Sequence, residues 1–134
     1  EMAANLEPLW IAGKERLSER LRALMERGRE TRAIDYQRVL RSLPRMIESF
    51  DELFMERYDA IITLPALGTA PKGLGATGDP AFCVLWTLLG VPSVSLPLMR
   101  GANGLPLGVQ LVGRRHFDAR LLRTARWLVE KVSS

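Results

Sequence analysis

The 134-residue chain predicts an α/β fold built on a partial mixed sheet of about three strands, and three observations lead there. Residues 1–57 carry apolar side chains at helical spacing with charges between them, the pattern of N-terminal helices with one buried stripe. Three short, nearly continuous apolar runs follow at about 59–64, 91–98 and 107–112, set off by proline and glycine, as strands covered on both faces are. Between the first two runs lies an apolar segment at about 80–89, opened by Asp79-Pro80 and closed by Gly90, which reads as one buried helix.

The helices come first. Leu17, Leu21, Leu24 and Met25 mark a helix over about 14–27, with Gly28 placed as its stop and Thr31 as the next N-cap. Ile34, Val39, Leu40, Leu43, Met46, Ile47, Phe50, Leu53 and Phe54 continue the period to about residue 57. Pro44 sits inside that stretch, removes a backbone donor, and predicts a kink or a split.

The run at 59–64 ends at Pro65, and residues 65–78 hold two prolines and four glycines, so they form a loop. The Asp79 carboxylate can cap free helical N–H groups, and proline is tolerated at the first helical position. Gly101, Asn103 and Gly104 tolerate positive φ and predict a hairpin-like return between the second and third strands. Asp118 can cap a C-terminal helix whose apolar face is Leu121, Leu122, Ala125, Leu128 and Val129. The unit at 59–98 should be a parallel, right-handed strand–helix–strand crossover, with the third strand antiparallel to the second. Such strands want cover on both faces and neighbours at both edges, and this chain supplies few, which predicts a piece of a larger mixed sheet.

Composition narrows the function classes. The chain is 47% apolar and 25% charged, enough for one modest globular segment and too apolar for a disordered one. No apolar run has the length of a membrane span, so no membrane partner is expected. The N-terminal residues lack the basic flank and apolar core of a signal peptide. A glutamate precedes Met2, which marks Met2 as other than a natural start and predicts a chain beginning inside a longer protein or carrying a tag remnant. One cysteine, Cys83, cannot form an internal disulfide or a thiolate metal site, and a cytoplasmic setting is the default. The net charge of +4 comes from the second half, chiefly Arg114, Arg115, Arg120, Arg123, Arg126 and Lys131. For these cations a solvated helix face is favoured over a nucleic-acid interface, so no nucleic-acid partner is expected.

Each candidate site competes with a plain packing role. Gly73, Gly75 and Gly78 match the spacing of a dinucleotide loop, but Pro65 to Lys72 separate them from the strand and no acidic residue stands about twenty positions on, so no such cofactor is expected. His116 is the one histidine and lies near Asp118 in a surface-like connection, without a nucleophile elbow elsewhere. Cys83 reads as a small core residue, and no ligand spacing suggests a metal. Ser93 and Ser95 alternate on a strand and share a face, where packing is the favoured role. Lys72, between Pro71 and Gly73, should be exposed rather than a buried base. Phe82 and Trp86 stand four apart on the Asp79-capped helix and share a face, as core or as the wall of a pocket.

A wider pattern connects these pieces. Tyr58-Asp59 precede the apolar run to Pro65, and Ala70-Pro71 follow in the loop. Ala76-Thr77-Gly78-Asp79-Pro80 lead to Phe82, then Trp86-Thr87 to Pro92, Ser95 to Pro97, and Gly104-Leu105-Pro106-Leu107-Gly108-Val109-Gln110-Leu111-Val112-Gly113. In order and spacing this resembles the C-terminal part of the amidase-signature hydrolases, densely over about 55–130 and more loosely before it. The resemblance implies a fragment of the larger amidase-signature fold, with 1–57 a helical arm and 58–134 the part bearing the motifs. It implies hydrolysis of a carboxylic amide to acid and ammonia or amine by a Ser–cis-Ser–Lys triad, without a metal or cofactor. Nothing here matches the Gly/Ser-rich nucleophile segment or the lysine, so no catalytic residue is assigned. The resemblance offers Asp79, Phe82 and Trp86 as substrate-pocket contacts. The expected partners are the missing N-terminal part or a second copy, with a small-molecule amide in the complete enzyme. The competing expectation is a non-enzymatic interaction or oligomerisation module derived from such an enzyme.

Overall fold

The computed structural model describes residues 1–75 and 77–132, with the backbone alone at Glu56. Ala76, which opens the Ala-Thr-Gly-Asp-Pro motif, and the terminal Ser133 and Ser134 lie outside the described residues. Two compact units divide the chain, Glu1–Ser42 and Leu43–Ser134.

The first unit holds α1 (Met2–Asn5), α2 (Glu7–Gly13), a 3-10 turn at Lys14–Arg16, α3 (Glu19–Glu30) and the start of α4 (Ala33–Glu56). The helix expected over 14–27 is therefore broken at Ser18, whose hydroxyl oxygen accepts the Leu21 N–H at 3.3 Å and so starts a new helix. Gly28 does not stop α3 but lies within it. A Cβ at Gly28 would stand 2.9 Å from the Ala3 Cβ, so its role is to let α1 approach α3. Thr31 caps nothing N-terminally; its hydroxyl donates back to the Arg27 carbonyl, and the Arg32 carbonyl accepts from Asp35 and Tyr36 as α4 begins. Met25 is fully buried in this unit, and the Tyr36 hydroxyl donates to Glu1 Oε1 at 2.7 Å.

α4 runs through Pro44 as one 24-residue helix, so the expected split does not occur. Proline's fixed φ is compatible with a helix, and Leu43 and Ile47 on its two sides both pack against buried core residues, which offsets the lost donor.

The second unit continues with β1 (Ile61–Thr63), α5 (Ala81–Leu89), β2 (Ser93–Arg100), β3 (Pro106–Val112) and α6 (Asp118–Val132). The α/β class and the three strands are as expected, but the strand order is β1-β3-β2 and both neighbouring pairs are antiparallel. β1 and β2 do run in the same direction, yet β3 stands between them, so they form no parallel pair. The cause lies in β3. The Gly101–Gly104 turn folds it back on β2, with the Gly101 N–H donating to the Leu105 carbonyl at 2.9 Å and Gly104 at φ 77°. Its second edge is then free for β1, which places the strand holding buried Gln110, Leu111 and Val112 at the centre. The β2–β3 register shifts between Leu96 and Met99, where Pro97, lacking an N–H, sits on an edge strand.

Alternation along β3 builds two cores. Val112 packs with Phe50, Phe54 and Leu89 on one face, joined by Ile61 and Trp86. Leu111 packs with Leu121 and Ala125 on the other, joined by Val94 and Leu128. In α6 the buried stripe is Leu121, Ala125 and Leu128, while Leu122 is exposed, because 100° per residue carries it off that stripe. Asp118 stands in the first turn of α6, and the cap is the Phe117 carbonyl, accepting from Arg120 and Leu121.

α5 begins one residue later than expected, and Asp79 Oδ1 accepts the Ala81 N–H at 2.9 Å. Its stop is as expected. Gly90 adopts φ 64° and ψ 36°, its N–H reaches the Thr87 carbonyl, and the Val91 N–H reaches the Trp86 carbonyl, the two bonds of a Schellman motif. The expectation of a helix buried all round fails. Leu89 is buried, but Val84 is 59% exposed and Leu85 and Leu88 are exposed beside it. Only the Phe82, Trp86 and Leu89 side of α5 turns inward; among the described residues nothing covers the other.

Candidate functional site

The segment that carries the motif residues is α5 with the loop before it and the sheet face beneath. Asp79 is exposed and its carboxylate organises the first turn of α5. Phe82 and Trp86, both half-buried, follow on one side of the helix. Trp86 reaches the sheet: its ring lies 5.8 Å from that of Phe50 at 50°, and its indole N–H donates to Gln110 Oε1 at 3.1 Å. Gln110 is 5% exposed and is the buried polar side chain of the central strand.

Ser95 is the register partner of Gln110 and Ser93 that of Val112, so both serines share the face that Trp86 covers. Both are exposed. Gly108 completes this face, where a Cβ would stand 2.6 Å from Ser95 Oγ and 2.7 Å from Pro65 Cγ. The loop is pinned from two sides. The Cys83 thiol lies 3.5 Å from the Pro65 carbonyl, and Asn103 Nδ2 donates to Thr69 Oγ1 at 2.9 Å.

The structure thus brings Phe82, Trp86, Ser93 and Ser95 to one side of the sheet. It leaves Lys72 exposed in the loop and His116 exposed at φ 64° in the turn closed by the Phe117 N–H and Arg114 carbonyl. Among the described residues no group of three or more His, Cys, Asp or Glu side chains could hold a metal ion. The arrangement offers an aromatic wall, two hydroxyls and a fixed loop, which can shape and orient a ligand. A base poised on a nucleophile is not among the contacts described.

Two features lie beyond what the sequence pattern indicated. One is the Trp86–Gln110 pair, whose signal was a single amide inside an apolar strand. The other is an open groove of about 610 Å³ on the opposite sheet face, between β1 and α6. Leu111 lies at its floor, Ile62, Trp127 and Leu128 line it, and Arg57 and Arg123 stand at it. Its signals were an exposed isoleucine in β1 and a tryptophan away from the buried stripe of α6.

No described helix is long and apolar enough to cross a membrane. The α/β arrangement is shared with longer solved structures. It superposes on a structure described as "Crystal structure of amidase" with a TM-score of 0.77 at 22% identity, over 96% of this chain and 32% of that one. A 6-aminohexanoate cyclic dimer hydrolase gives 0.64 at 19% identity, over 90% of this chain and 30% of that one. The chain belongs to the amidase family, whose family model matches residues 10–122. Among curated relatives it is similar to the A-subunit of glutamyl-tRNA(Gln) amidotransferase from Cereibacter sphaeroides (strain ATCC 17025 / ATH 2.4.3), 39% identical over 69% of this chain and 21% of that one. The corresponding amidotransferase protein of Roseobacter denitrificans is 38% identical over 72% of this chain and 21% of its own length. The chain spans about a fifth of the length of these relatives.

Proposed function

We propose that this chain is the C-terminal part of an amidase that hydrolyses a carboxylic amide to acid and ammonia or amine, and that it is inactive alone. It supplies scaffold and pocket wall. The Ser–cis-Ser–Lys chemistry that the amidase-signature resemblance implies comes from the remainder of the enzyme. In that mechanism lysine takes the nucleophile's proton through the bridging serine, and the second serine attacks the amide carbonyl; the C–N bond breaks as that proton is returned to the departing ammonia or amine, and water then hydrolyses the acyl ester to the acid and free serine.

The observation that carries this reading is the uncovered apolar surface around an otherwise ordered motif segment. The Gly104-to-Gly113 run forms the central strand and its turn. The outer side of α5 nevertheless exposes Val84, Leu85 and Leu88, and the outer edges of β1 and β2 pair with no described strand. Contiguous apolar surface of this kind marks a place where more protein belongs. The relatives, several times longer, supply a reason for it.

Within the site, Asp79 fixes the start of α5, and Phe82 and Trp86 present the wall toward the acyl side of the substrate. The test is amide turnover by the pure chain and by its Ser93→Ala and Ser95→Ala variants. No turnover above buffer is expected. Turnover that one of these substitutions abolishes would overturn the proposal.

A further inference from the structure

We propose that the polar row Thr63, Gln110 and Ser95, on the α5 side of the sheet, is a hydrogen-bonding subsite for a neutral carboxamide on the acyl part of the substrate, and that Gln110 selects for it. The substrate class is then an amide whose acyl chain carries a second carboxamide. The proposal rests on reading this chain as the pocket wall of an amidase.

Register builds the row. Thr63 of β1 and Ser95 of β2 are both partners of Gln110 on β3, so the three side chains lie in line across the sheet and share one face. Thr63 is half-buried and Ser95 exposed, and neither hydroxyl has a hydrogen-bond partner among the described residues. The neighbouring row is packed: Ile61 and Val112 join Phe50, Phe54 and Leu89 in the core. Ser95 is also placed by shape. Its Oγ lies 2.6 Å from where a Cβ on Gly108 would stand, with Pro65 beside it, so glycine leaves room for this hydroxyl next to Gln110.

Gln110 decides what the row can hold. The Trp86 indole nitrogen can only donate, so the Gln110 oxygen faces it and Nε2 turns the other way. Gln110 is 5% exposed, yet Nε2 has no acceptor among the described residues and is not one of the side-chain atoms sealed from solvent without a partner. A buried amide fixed at its oxygen, with its nitrogen unpaired and reachable, is a preset donor for a ligand oxygen. Directly opposed side chains stand about 5 Å apart, so one planar group can reach Gln110 Nε2 and Ser95 Oγ together. A carboxamide matches both: its oxygen accepts from Nε2 and its N–H donates to the hydroxyl. A carboxylate there would give up water without gaining a cation, since no member of the row is charged. A methyl group would leave the Gln110 donor unpaired.

The test uses the full 134-residue chain, isotope-labelled and followed by NMR at the Gln110 side-chain amide and the Trp86 indole N–H. The probes are butyramide, butyrate and 2-pentanone, which share a propyl group and differ only in the polar end. Butyramide should shift the Gln110 Nε2 signals saturably, with butyrate at least about tenfold weaker. Gln110→Met should weaken butyramide about tenfold. Ser95→Ala, at an exposed position, should weaken butyramide about fivefold and leave 2-pentanone, which has no N–H to give the hydroxyl, unchanged.

Saturable shifts at Trp86 with the Gln110 amide unmoved overturn the subsite and leave the aromatic wall standing. Butyrate binding as well as butyramide overturns the choice of a neutral group. Butyramide affinity unchanged in both Gln110→Met and Ser95→Ala, or no saturable shift at Gln110 with any probe, overturns the proposal outright. The amidase reading is judged by turnover instead, and none of these results decides it.

Discussion

Replacing Trp86 with Phe keeps an aromatic ring against Phe50 and removes the donor that reaches Gln110 Oε1 at 3.1 Å. Because Gln110 is 5% exposed, little water can take the place of the indole. An unsatisfied buried acceptor costs about 1–3 kcal/mol, and the smaller ring removes about 1 kcal/mol more of packing, so the variant should lose about 2–3 kcal/mol. Gln110→Met removes the acceptor instead and leaves the indole N–H of a half-buried residue, which water can partly reach, so its loss should be smaller, about 1–2 kcal/mol. The double variant has neither half of the bond, so the two losses should not add; the coupling should be about 1–2 kcal/mol. The assay is urea unfolding followed by circular dichroism. Trp86→Phe should lower the midpoint by about 1–2 M for a unit of this size. Losses that add to within about 0.5 kcal/mol would refute the reasoning, since they would mean that the bond contributes nothing.

Other substitutions isolate single causes. Gly108→Ala should destabilise by about 1–3 kcal/mol in the same urea assay, because its Cβ would meet Ser95 Oγ at 2.6 Å and Pro65 Cγ at 2.7 Å; an unchanged midpoint would mean that the sheet face yields freely. Gly90→Ala meets nothing closer than the Arg115 side chain at 3.7 Å, so its cost, about 1 kcal/mol, should come from φ 64° alone, and Gly90→Asn should recover part of it. Asp79→Ala should cost about 1 kcal/mol through the lost cap on Ala81, read as reduced thermal stability, with Asp79→Asn close to wild type. The Tyr36 hydroxyl is held above its ordinary value of 10.0 by its hydrogen bond to Glu1. A folded-state value above the unfolded one favours folding below the unfolded value, and that contribution disappears as pH rises through the folded one. The first unit should therefore weaken as pH passes above about 10, and a Tyr36→Phe variant should lack that component of the pH profile.

What could be read in the sequence was what local chemistry decides. Asp79, Gly90 and the Gly101–Gly104 turn act within a few residues, and each stands where its side chain or φ preference places it. The stop expected at Gly28 and the split that was one of the two outcomes expected at Pro44 failed for one reason: intrinsic preference was outweighed by neighbours, the Ala3 side chain and the core around Leu43 and Ile47. Strand order was not legible, because β1 reaches β3 across about fifty residues and apolar runs do not name their partners. The same limit hid the exposed side of α5. Apolarity at Val84, Leu85 and Leu88 shows that a side chain wants cover, and the chain itself decides whether cover exists. In the site, the shared face of Phe82 and Trp86 followed from their spacing, whereas Gln110, twenty-four positions beyond Trp86, could be joined to it only by the fold. The groove gathers Arg57, Ile62, Arg123 and Trp127 from separate stretches, and no short window of sequence contains it.

The measurement that tests the central claim most directly is ammonia release from a panel of primary amides by this chain, by the complementary part of an amidotransferase relative, and by the two together. The account predicts background rates from this chain alone and turnover only from the mixture, saturating as the two chains approach equal amounts. Turnover by this chain alone, undiminished after removal of every other polypeptide, would contradict it.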